Sequence, residues 1–71
     1  MLITAEQAKK ILLGNFVFSQ LGFSLMITRL KRTYASNQDS AVLTNCVNEI
    51  NAFLKKYESI MADDYAIISR L

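Results

Sequence analysis

The sequence has no histidine, no proline and no tryptophan, and holds one cysteine and two glycines in 71 residues. Each shortage removes a class of protein. With no histidine and only Cys46 as a thiol, neither a structural zinc site nor a histidine-assisted nucleophile can be built. One cysteine also excludes an intramolecular disulfide. Two glycines and no proline supply too few turns for a many-stranded sandwich or barrel. Charge is scarce as well. Eight Lys/Arg against six Asp/Glu leave +2, short of the clustered basic excess of a dedicated nucleic-acid binder. No cofactor is implied, and no catalytic constellation is visible.

What the chain has in quantity is apolar surface. A hydrophobic content of 52% with 20% charged residues argues against disorder. So short a chain buries only roughly 60% of the surface that its unfolded form exposes. Without disulfide or metal, the remaining source of stability is association. The expectation is one domain spanning 1–71 that pairs with a second copy. The unpaired Cys46 suits a reducing compartment, which points to the cytoplasm.

The pattern reads as all-α. Residues 36–40 (SNQDS) form the sustained polar stretch in mid-chain and divide it into near-equal halves. Thr4 followed by Gln7 has capping-box spacing, with Glu6 favourable in the first turn. These signals predict a helix over about 5–35, a turn over 36–39 and a second helix over 40–70. Gly14 and Gly22 fall inside the first helix, at about 1 kcal/mol of propensity each.

The second half shows the cleanest period. Leu43, Ile50, Tyr57 and Leu71 share one heptad column, interrupted by Asp64. Cys46, Phe53, Ile60 and Ile67 fill a neighbouring column, and Val47, Leu54, Met61 and Ile68 the next. Three adjacent columns describe a wide apolar stripe that faces a globular core. Cys46 on that stripe reads as a core side chain, and Asn51 falls on the opposite, polar face.

The first half is apolar on two sides. Phe16, Phe23 and Leu30 mark one face. Ile11, Phe18 and Leu25, with Leu21 beside them, mark the other. One neighbouring helix covers only one face. The prediction is therefore a two-helix antiparallel hairpin that dimerises into a four-helix bundle, with Ile11, Gly14, Phe18, Leu21 and Leu25 at the oligomer or partner interface. Two matched helices of about 30 residues would each run roughly 45 Å. In that register Lys9 and Lys10 would lie near Asp63 and Asp64.

The functional expectation is a small non-enzymatic protein–protein interaction module, binding itself and another protein as a regulator, adaptor or small chaperone. Two alternatives come from other classes. Arg29, Lys31 and Arg32 form the densest basic cluster and could contact phosphate. A bundle using them would resemble the Rop-type hairpin dimer in architecture, with no motif in common. Residues 11–28 form an 18-residue run without charge, long enough for a single membrane span. Asn15 and Gln20 within that run would then need polar partners in the bilayer. Lys9 and Lys10 before an apolar stretch mimic a signal peptide, but Glu6 and the lack of a small-x-small cleavage site argue against one.

Overall fold

The computed structural model describes residues 2–71, and among them every regular element is helical. The order is α1 (Ala5–Leu13), α2 (Leu21–Ser36), α3 (Ser40–Lys56), a 3-10 turn (Glu58–Ile60) and α4 (Ala62–Ile68). The helical class is as predicted, but each expected long helix is broken once. The longest Cα extent is 31 Å, well under the roughly 45 Å of an unbroken half.

Three helix starts follow from local chemistry. The Thr4 side chain accepts from the Gln7 N–H, and the Gln7 side chain accepts from the Thr4 N–H, completing the capping box. Asp39 caps α3 by accepting from the Val42 N–H at 2.9 Å. Gln20 caps α2 through the Phe23 N–H at 2.7 Å. Thr4→Ala is expected to cost about 1 kcal/mol, read as a shift of the urea midpoint. An unchanged midpoint would mean that the first turn frays in solution.

The centre of the molecule is α3, which packs against both α1 and α2. Its buried side chains are Cys46, Ile50 and Leu54. They meet Ala8, Ile11 and Leu12 of α1 and Phe23, Ile27, Leu30 and Tyr34 of α2 in a single core. Met61 and Ile68 close it from the C-terminal segment. Asn51 is not on a free polar face. It accepts from the Ile3 N–H at 2.7 Å and donates to the Ile3 carbonyl at 3.2 Å, tying the entry to α1 onto α3.

The first break departs most from expectation. At Gly14 the backbone turns extended (φ −95°, ψ −173°) and α1 ends. A Cβ at Gly14 would lie 2.8 Å from the Lys10 carbonyl oxygen, so this bend fits glycine. Residues 14–20 then cross to α2 without helix. Phe18 enters the core there and meets Phe23 edge-on, with ring centroids 4.9 Å apart. Phe16, expected in the core, sits at its rim, 37% exposed.

The second break follows Lys56. The 3-10 turn shifts the helical phase, so Ile60 leaves the predicted stripe and is exposed while Met61 stays buried. The Tyr65 hydroxyl donates to the Leu54 carbonyl at 3.1 Å, one of the carbonyls that a helix end leaves free. Asp64, which interrupts the first apolar column, is buried with it.

With the 11–28 run divided between α1, the bend and α2, no helix among the described residues is long and apolar enough to cross a membrane.

Candidate interaction surface

The structure separates the five residues predicted for an interface. Ile11 and Phe18 are buried in the chain's own core and are not available to a partner. This corrects their assignment to a second exposed face. The cause is the bend, which rotates Phe18 inward and leaves α1 to pack on α3 through Ile11. Gly14 forms the bend itself, half-buried. Leu21 and Leu25 lie one helical turn apart on α2 and face solvent, 69% and 62% exposed.

Two more exposed residues belong with that pair: Leu13, which the helical period puts on the Phe16 face, and Val17, which it puts at the edge of the second face. Leu13 ends α1 and Val17 lies in the bend, both exposed, Val17 by 87%. They precede Leu21 and Leu25 at intervals of four, a signal present in the sequence but assigned there to a continuous helix. Apart from Leu2 before α1, the exposed large apolar side chains of the first half, Leu13, Phe16, Val17, Leu21 and Leu25, all fall between the end of α1 and the first turns of α2.

Polar contacts hold that feature in shape. Asp64, 1% exposed, accepts from the Ser19 N–H at 2.7 Å, the Ser19 hydroxyl at 3.1 Å and the Gln20 N–H at 3.0 Å. The carboxylate therefore sits at the N-terminal end of α2, where the helix dipole favours negative charge. Lys31 donates to the Gly14 carbonyl across the bend. The expected meeting of Lys10 with Asp63 or Asp64 does not occur. Lys10 donates instead to the Leu71 carbonyl at 2.8 Å.

The basic cluster is partly engaged within the chain. Arg29 pairs with Glu49, and Lys31 is held at Gly14. Arg32 is exposed and forms no ion pair among the described residues.

Cys46 is 1% exposed. Burial pushes its thiol above the usual range, Glu49 adds to the rise, and Arg29 opposes it. That environment disfavours the thiolate that a nucleophile requires. Burial also raises Tyr65, with Glu58 contributing. Among the described residues no pocket opens, and no three of the Cys, Asp and Glu side chains gather as a metal-binding set.

Comparison with family models, with curated proteins and with solved structures found no match to this chain. Its fold and surface stand on their own geometry.

Proposed function

We propose that the protein is a small non-enzymatic interaction module that associates with itself and binds another protein through the apolar surface at the α1–α2 bend. The observation that carries this reading is the exposure of Val17, Leu21 and Leu25 together on a chain with so little charge. Burying a side chain of this kind gains about 1.5–3 kcal/mol. Three or four per chain therefore give a useful driving force, even after the entropy of association. The cytoplasmic placement rests on the unpaired, buried Cys46. Phosphate binding has less support, because Arg29 and Lys31 already have partners within the chain.

The test is Leu21→Glu with Leu25→Glu, followed by light scattering and circular dichroism at matched concentration. The native chain is expected above its 8.0 kDa monomer mass and the double variant at it. Helix content should persist, since both side chains already face solvent. An assembly that survives both substitutions would reject this surface. A native chain that stays monomeric up to millimolar concentration would reject self-association.

A further inference from the structure

We propose that residues 14–20 are a hinge, and that two copies of this chain exchange α1 through it, with α1 and α2 joining into one helix when the hinge opens. The proposal concerns the core contacts of α1 and does not rest on the Leu21 and Leu25 surface.

The first observation is chemical continuity across the bend. Residues 11–30 carry apolar side chains at helical spacing without proline. The described backbone has no non-glycine residue and no glycine at positive φ. Nothing local to 14–20 forbids helix except the glycine propensity at Gly14, and Gly22 already lies within α2.

The second observation is what holds the bend closed. In a continuous helix the Ser19 and Gln20 N–H groups would donate to Asn15 and Phe16, and the Gly14 carbonyl would accept from Phe18. Asp64 takes those two donors, and Lys31 takes that acceptor. The closed hinge thus meets with side chains from α4 and α2 the needs that helix would meet internally. The two arrangements compete for the same backbone groups.

The third observation fixes the occupant. The face of α1 that enters the core is Ala8, Ile11 and Leu12, with Ile3 held by Asn51 just before the helix. A second copy offers the same α3 surface and the same Asn51, so α1 of one chain can re-form every one of these contacts on the other. Opening then exchanges the α1 contacts for identical ones, the low-cost route to a dimer, and gives up those of Phe18, Asp64 and Lys31 at the bend. The joined helix over 5–36 would run roughly 48 Å, against the 31 Å extent of the closed chain.

Two substitutions bias the hinge in opposite directions. Gly14→Ala places a Cβ 2.8 Å from the Lys10 carbonyl oxygen and 2.6 Å from the Phe16 ring in the closed form, while alanine favours the joined helix. Asn15→Pro forbids the joined helix. The closed form accommodates it better, because Gly14 is already extended and the Asn15 N–H has no backbone acceptor among the described residues.

Each variant is refolded over a concentration series and followed by light scattering and circular dichroism. Gly14→Ala is expected to raise the dimerisation constant about tenfold or more over the native chain, with added helix. Asn15→Pro carrying Leu21→Glu and Leu25→Glu is expected to remain a folded monomer. Gly14→Ala carrying Leu21→Glu and Leu25→Glu should still dimerise, which separates exchange from association through the exposed surface. The proposal is overturned if Gly14→Ala dimerises no more than the native chain, whether folded or not. It is equally overturned if the Asn15→Pro triple variant dimerises as readily as the Gly14→Ala triple variant, or if the Gly14→Ala triple variant is monomeric.

Discussion

Phe23→Ala is expected to remove about 3–5 kcal/mol of stability, the range for a fully buried aromatic truncated to a methyl group. Phe23 is fully buried, and its ring stands edge-on to Phe18 and 5.5 Å from Phe53. Phe53 in turn meets Tyr57 at 4.5 Å. The file of rings therefore ties the bend to α2 and α3, and its loss is felt in all three. Scaled by residue, a domain this size has about 4–10 kcal/mol in total, so the variant should be largely unfolded near 37 °C. Urea titration followed at 222 nm measures it. A loss under about 1 kcal/mol would show that the rings slide together over the gap and that the core is looser than its burial implies.

The second large effect is expected at Asp64. Asp64→Ala takes a charged acceptor from two backbone N–H groups and one hydroxyl. The Gln20 amide is half-buried, so water restores only part of what is lost. A cost of about 3 kcal/mol is expected for the closed monomer at low concentration. Asp64→Asn keeps one acceptor oxygen and should lose less. Asp63→Ala, on the exposed neighbour, should stay within about 0.5 kcal/mol. Equal effects at Asp63 and Asp64 would mean that general charge at the start of α4 matters and that the specific bonds to Ser19 and Gln20 do not.

Asp64 also shows where sequence reasoning reached its limit. The features that were legible act over three or four residues. Thr4 with Gln7 is a cap whose donor lies three positions on. The stripe through Cys46, Ile50 and Leu54 depends only on helical period, and it is buried as read. The bend at 14–20 depends on residues far away in the chain. Ser19 meets Asp64 across 45 positions, and Lys31 reaches Gly14 across 17. A helical period with no proline gives no warning of such contacts, because tertiary partners decide the conformation. One local signal was available. Glycine directly after a run of apolar period is a common helix stop, and Gly14 followed by Asn15 fits it. Read that way, Leu13 and Val17 would have joined Leu21 and Leu25 as exposed residues, and Phe18 would have been released from the second face. Asp64 as an interruption of an apolar column was visible, but its partner was not.

The three-residue connection between α2 and α3 also sets an order of events in time. A short loop closes in well under a microsecond, whereas joining Ile3 to Asn51 or Ser19 to Asp64 must close more than forty residues at greater entropic cost. The α2–α3 pair is thus expected to form early, and the contacts of α1 with α3 late. During that interval the pair presents an empty site shaped for α1, and any copy nearby competes to fill it. At dilution the chain's own α1 arrives first. When the chain folds in a crowd of its own kind, the partner it ends with is settled by arrival time as much as by affinity.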